Sequence, residues 1–199
     1  MRIIALCLAC LMLVLPASAQ AEDELVHVKM ETSEGDIYLA LNRTKAPVTV
    51  ENFLAYAESG YYIRLIFHRV VPGRLIQGGG YNRSLYQRGK RDPITNEADN
   101  GLKNLRGTIA MARNDDPDSA QSQFFINTKD NPELDHQGKE YAFDWGYAVF
   151  GDVVYGMDVV DTISFVLTEG RGDFAGEVPV EPVYINMVRE IDESDIPTE

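Results

Sequence analysis

Most of this chain reads in steps of two. Val26, Val28 and Met30 alternate with His27, Lys29 and Glu31; the Ser33-Glu34-Gly35-Asp36 turn follows, and Ile37-Tyr38-Leu39-Ala40-Leu41 runs back as a second strand, a β-hairpin. Residues 63–71, 107–113, 122–128, 147–154 and 180–188 are further strand candidates, separated by connections rich in Gly, Asn, Asp and Pro. Only two stretches keep a helical period. Pro47 opens the first, where Val50, Phe53, Leu54 and Ala57 share a face and Gly60 stands where a left-handed cap is expected. The second runs from Met157 to about Phe165, with Met157, Val160 and Ile163 on one face. Roughly seven or eight short strands with two helices predict a mainly β fold, a closed antiparallel barrel, because closure removes the edges on which strands of different molecules pair.

The amino terminus stands apart from this pattern. Met1-Arg2 supplies one positive charge, residues 3–15 are uninterruptedly apolar, and Pro16-Ala17-Ser18-Ala19 offers the small residues a signal peptidase accepts. Residues 1–21 therefore read as a secretory signal peptide, with cleavage after Ala19 or Ala21. The apolar run, at about 1.5 Å per residue, is too short to span a ~30 Å hydrocarbon core, so no stable membrane insertion is expected once the signal is removed. The protein is thus expected to be exported, with the periplasm as its location. Cys7 and Cys10 both lie in this segment, so the mature chain has no thiol and must rest on its hydrophobic core. Residues 24–191 read as a single domain and 192–199 as a frayed polar tail. With 18 Lys and Arg against 31 Asp and Glu, the net charge of −13 repels a phosphate backbone and argues against nucleic acid as a partner. A monomer is expected.

Common catalytic patterns are missing. There is no G-x-S-x-G, no H-E-x-x-H and no P-loop, and Gly78-Gly79-Gly80 is followed by Tyr81-Asn82-Arg83, which fails the dinucleotide pattern. The three glycines are read as allowing close backbone approach. With His27, His68 and His136 as the only histidines and no mature cysteine, neither a metal nor another cofactor is expected. Arg171-Gly172-Asp173 matches an adhesion tripeptide and is assigned no role.

The informative segments are Phe67-His68-Arg69-Val70-Val71-Pro72-Gly73-Arg74-Leu75-Ile76-Gln77-Gly78-Gly79-Gly80, then Gly107-Thr108-Ile109-Ala110-Met111-Ala112-Arg113, then Ser122-Gln123-Phe124-Phe125-Ile126-Asn127. In this order, and with Asn96-Glu97-Ala98-Asp99-Asn100-Gly101-Leu102 and Tyr147-Ala148-Val149-Phe150-Gly151, they resemble the cyclophilins, which are peptidyl-prolyl cis-trans isomerases, and among them the exported bacterial branch. The resemblance runs from about Val26 to Glu190. It implies an eight-stranded antiparallel barrel closed by an α-helix at each end. It also implies accelerated rotation of X–Pro bonds in proline-containing, unfolded or flexible polypeptides. Arg69 matches the family's catalytic arginine, and Gln77 the glutamine that hydrogen-bonds substrate and orients that arginine. Leu75 and Phe125 match walls of the proline pocket, Leu134 its rim, and Ala112 and Gln123 positions along the substrate backbone. Arg74, Met111, Arg113, Glu133 and Tyr147 complete the substrate-binding set that the resemblance implies.

The chemistry follows from the amide bond itself. Its resonance imposes a barrier of about 18–20 kcal/mol, and the half-rotated state carries a pyramidal, basic prolyl nitrogen in a less polar amide. A guanidinium donor aimed at that nitrogen, with an apolar cradle for the ring, binds the twisted state better than the planar one. Neither a metal nor a nucleophile is needed. Three positions depart from the family pattern: Arg74 where an aromatic is usual, Glu133 where tryptophan is common and Tyr147 where histidine is common. Opposite charges around an apolar rim imply an altered peptide preference and weak cyclosporin binding, whether Arg74 and Glu133 pair with each other or select charged residues beside the proline. The segment 137–146 carries Trp145, the single tryptophan, and could fold over the groove in place of the missing aromatic. His68, as strand neighbour of Arg69, is expected to face the opposite way and support the core. The alternative function is a proline-segment-binding chaperone or assembly factor with little isomerase activity.

Overall fold

The computed structural model describes residues 22–172 and 174–198. The signal-peptide reading on 1–21, and Asp173 of the tripeptide, lie outside the described residues. The predicted hairpin forms from β1 (Leu25–Thr32) and β2 (Asp36–Asn42). Its register sets Val26 against Leu41, Val28 against Leu39 and Met30 against Ile37, so each inward pair is apolar on both sides. All six are buried, which fixes the register: a slip by one residue would turn the whole apolar set to water.

Helix α1 (Pro47–Glu58) follows. Its free N-terminal N–H groups are met from far along the chain, because the Glu97 carboxylate accepts from the backbone N–H of Val48 and Thr49 and from the Thr49 hydroxyl. At the other end the N–H of Tyr61 donates to the Tyr56 carbonyl and that of Gly60 to the Ala57 carbonyl, with Gly60 left-handed as its position implied. The helix inserts Phe53 among Tyr62, Phe124 and Phe150, with ring centroids 5.2–5.6 Å apart. These rings and the inward strand residues form the main core.

The chain continues through β3 (Leu65–Ile66), β4 (Arg69–Val71), β5 (Leu75–Gly78), β6 (Thr108–Met111), β7 (Phe124–Asn127), β8 (Val149–Tyr155), α2 (Met157–Ser164), β9 (Thr168–Arg171), β10 (Phe174–Pro179) and β11 (Tyr184–Ile191). Nine strands form one antiparallel sheet in the order β3-β11-β1-β2-β8-β6-β7-β5-β4. The fold is mainly β with two helices, as predicted. The closed eight-stranded barrel is corrected: the sheet has nine strands, curls into a half-barrel and stays open, with no ladder between β3 and β4. The cause lies in residues 63–71, which are not one strand. Phe67 and His68 belong to neither edge, and the Phe67 N–H donates instead to the Val183 carbonyl, so the run splits into the two edge strands of the same sheet. Helix α2 bridges the curl, touching β2 on one side and β4 and β5 on the other. Strands β9 and β10 form a separate two-stranded hairpin lying against β4.

Candidate functional site

Register places the site. Arg69 stands opposite Gln77, Gln77 opposite Phe125, and Phe125 opposite Ala110, so one row crosses β4, β5, β7 and β6. Directly opposed residues share a sheet face, and residues two apart along a strand share it too. Leu75, Ala112 and Gln123 therefore join the row's face. The residues between them, among them Val70, Ile76, Ile109, Phe124 and Ile126, point into the main core. Met111 goes with that second set: it lies opposite Phe124, fully inside the core, and its side chain is on the wrong face to meet a substrate, a correction to its predicted role.

The outer face carries an apolar cluster and, beside it, a cavity. Leu75, Ala110, Phe125, Leu134 and Val149 form a compact cluster of buried side chains, edged by Ala112 and Tyr147. Next to it lies a polar cavity of about 340 Å³ bordered by Arg69, Gln77, Ala112, Arg113, Gln123 and His68. Ala112 belongs to both, so the two are continuous. The Tyr147 ring stands edge-on to Phe125 at 5.6 Å, and the Arg113 guanidinium lies 4.9 Å over the Tyr147 ring. Arg113 is itself held by the carbonyls of Gly146 and Ala142, each at 2.8 Å.

A chain of hydrogen bonds sets the polar side chains. Arg69 Nη1 donates to Gln77 Oε1 at 3.4 Å, and Gln77 Nε2 donates to Gln123 Oε1 at 3.0 Å. Gln123 lies so close to the backbone of Gly80 that a Cβ there would sit 2.6 Å from its Cγ, the close approach read from the glycine run. His68 is buried as expected. It nevertheless borders the same cavity as Arg69, because strand alternation does not apply to a residue outside any strand. Its ring packs on Tyr81 at 4.5 Å and Phe174 at 5.7 Å. Burial, helped by the charge of Arg69, lowers its pKa to about 4, so the imidazole is neutral at pH 7.

Arg74 and Glu133 pair across the pocket rim, Nη2 to Oε1 at 3.2 Å, which decides between the two arrangements left open by sequence. The rim rests on a buried amide network. Asn127 donates to Asn104 and Thr108, Asn131 donates to Asn127 and to the Arg74 carbonyl, and Asn104 donates to the Leu134 carbonyl. Trp145 does not cover the groove: its ring meets His136 at 6.0 Å and carries Lys139 at 4.8 Å, and it borders neither the cavity nor the apolar cluster.

Sequence reasoning missed Glu177. From β10 it accepts from Arg69 Nε at 2.5 Å and from Nη2 at 3.3 Å. They stand 108 positions apart in the chain, so no local pattern could have joined the two. Tyr81 and Phe174, which wall the cavity beside His68, were missed for the same reason. Among the described residues no cluster of His, Cys, Asp and Glu has the arrangement of a metal site.

On the outside of the sheet, a polar cavity thus adjoins an apolar cluster, with Ala112 common to both. Comparison with known proteins identifies the class. Residues 27–190 match the family described as cyclophilin type peptidyl-prolyl cis-trans isomerase/CLD. The chain is 50% identical over 188 residues to peptidyl-prolyl cis-trans isomerase A of Dickeya dadantii, covering 94% of this chain and 96% of that protein. It is 50% identical over 161 residues to peptidyl-prolyl cis-trans isomerase B of Escherichia coli, covering 81% and 97%. The crystal structure of a Cryptosporidium parvum cyclophilin type isomerase, determined in the presence of the dipeptide Ala-Pro, superposes with a TM-score of 0.68 at 26% identity, covering 84% of this chain and 99% of that one. The chain belongs to the cyclophilin-type peptidyl-prolyl cis-trans isomerases. It is an enzyme of that class, with relatives in bacteria.

Proposed function

We propose that this isomerase acts on exported polypeptides, seating the proline ring against Phe125 and Leu75 while Arg69 donates a hydrogen bond to the prolyl nitrogen as the bond twists. The observation that carries the reading is the row Arg69, Gln77, Phe125 and Ala110, which sets a guanidinium and an apolar cluster side by side on one face. In the planar amide the nitrogen lone pair is conjugated and accepts weakly. On rotation it localises, and a donor already in place strengthens its hold without reorganising, which lowers the barrier selectively. The apolar pocket favours the same state, because the twisted amide has lost dipole. Each tenfold in rate needs about 1.4 kcal/mol, the scale of one charge-assisted hydrogen bond. Gln123 and Ala112 border the path of the flanking peptide, and Gln77 carries the hydrogen-bond link from Arg69 to Gln123. The Arg74–Glu133 pair sets charge at the rim and narrows which residues beside proline are accepted.

The test is Arg69→Ala, assayed as cis-to-trans exchange of an alanyl-prolyl peptide. Loss of about two decades in kcat/KM, with peptide affinity kept, is the expected result; wild-type turnover in the variant would refute the arginine mechanism. Export rests on the apolar run at residues 3–15 and the small residues after it, and fractionation of cells producing the full chain tests it: recovery from the periplasm supports it, retention in the cytoplasm overturns it.

A further inference from the structure

The β9–β10 hairpin reaches the Arg69 guanidinium from outside the main sheet. Glu177 takes two of its five N–H groups, at Nε and Nη2, and Gln77 takes one at Nη1. One N–H on each terminal nitrogen is left uncommitted. The Gln77 contact is long, at 3.4 Å, so the forked contact with Glu177 is the stronger restraint on the plane of the group.

The hairpin is shaped to deliver that carboxylate. Phe174 pairs with Arg171 and Val178 with Glu169, which sets three residues of β10, Ala175 to Glu177, against Gly170 alone, a bulge with two extra residues. Gly176 sits within it at φ +82, where a side chain would be strained although nothing crowds the position. On either side the strand is seated on the body: Val178 is fully buried, and the Phe174 ring packs on Tyr81 at 5.2 Å and on His68. The bulge thus turns Glu177 toward Arg69 from two fixed ends.

We propose that Glu177 is a positioning residue, which holds the Arg69 guanidinium in the plane that the twisted imide needs. The role rests on the mechanism proposed above for Arg69. The two side chains are 32% and 36% exposed, and a pair this open contributes little to stability, so its purpose lies in orientation. An arginine side chain released from such a fork regains its rotamer freedom, and the productive orientation becomes a minority.

Glu177→Gln tests it in the mature domain with an alanyl-prolyl peptide, beside Glu177→Asp and Arg69→Ala. Expected for Glu177→Gln are a kcat lowered roughly tenfold, KM within about twofold of wild type, and an unchanged melting temperature. Glu177→Asp, which keeps the charge, recovers part of the loss. In ¹⁵N spectra the slowly exchanging Arg69 Nε–H signal is present in wild type and lost in Glu177→Gln. An unchanged or raised kcat, a loss confined to KM, or an Nε–H signal that persists overturns the proposal. If Glu177→Gln fails to fold, the wild-type spectrum decides, since absence of a protected Nε–H there refutes the fork. If Arg69→Ala is crippled while Glu177→Gln is normal, only the positioning role falls; if Arg69→Ala retains full activity, the arginine mechanism itself is wrong.

Discussion

His68 makes the stability of this protein depend on pH between about 4 and 6.5. Its ring is 1% exposed, packed between Tyr81 and Phe174, and its pKa falls from an ordinary 6.5 to about 4 in the folded chain. The unfolded chain then binds more protons than the folded one between those values, so acidification favours unfolding. The contribution is complete above pH 6.5 and is lost progressively as the pH falls to about 4, amounting to roughly 3 kcal/mol at 1.36 kcal/mol per pH unit. Other groups act elsewhere or with the opposite sign. Asp99 and Asp161, held low by hydrogen bonds from Lys139 and Arg106, lose their contribution below the normal carboxylate range, and Asp152, raised by burial, gains on acidification. Comparison with His68→Phe cancels all three, since the ring stacking is kept and the titration removed. Urea unfolding at intervals from pH 7.5 to 3.5 gives the two stability curves. The wild type is expected to lose about 3 kcal/mol relative to the variant between pH 6.5 and 4. A wild-type-minus-variant stability that stays flat, or rises on acidification, would refute the burial argument.

Two further outcomes follow from the site. Phe125→Ala opens the pocket wall against which the ring is proposed to pack, and kcat/KM for an alanyl-prolyl peptide is expected to fall about 10- to 100-fold, measured by peptide exchange. Asn127→Ala strands the Asn104 Oδ1 acceptor in the interior and takes one acceptor from Asn131, which also holds the Arg74 carbonyl at the rim; a loss of about 1–3 kcal/mol in urea unfolding is expected, and a loss under 0.5 kcal/mol would show that the network is dispensable.

The elements legible in the sequence are those with a single environment on each face. In β1 apolar and polar positions alternate, the turn at residues 33–36 marks where the chain runs back as β2, and the hairpin is found where the pattern put it. Strand β5 escaped as a separate strand because Leu75 faces the pocket and Ile76 the core, so both are apolar and no alternation appears. The β9–β10 hairpin escaped for the opposite reason: its glycines and exposed residues read as loop, and its order comes from packing on β4. The site divides in the same way. Arg69 and Gln77 stand in one segment joined by a tight turn, so a local motif carries both, whereas Glu177 reaches them only through tertiary structure.

The two-sided environment that hides β5 also explains how one thin sheet holds both a core and the candidate site. Along β4 to β7 the inward positions, Val70, Ile76, Ile109, Phe124 and Ile126, are fully buried and join the rings around Phe53. The outward positions hold a guanidinium and two amides in hydrogen bonds beside an apolar pocket, and none of them is needed to fill the interior. A charge can be kept there because the outer face is partly solvated; the same arginine one residue along, at Val70, would face several kcal/mol of desolvation. Met111 obeys the same parity. Flanked by Ala110 and Ala112 on the site face, it points inward, so a motif alone cannot separate the residues that meet substrate from those that hold the strand in place. Register separates them.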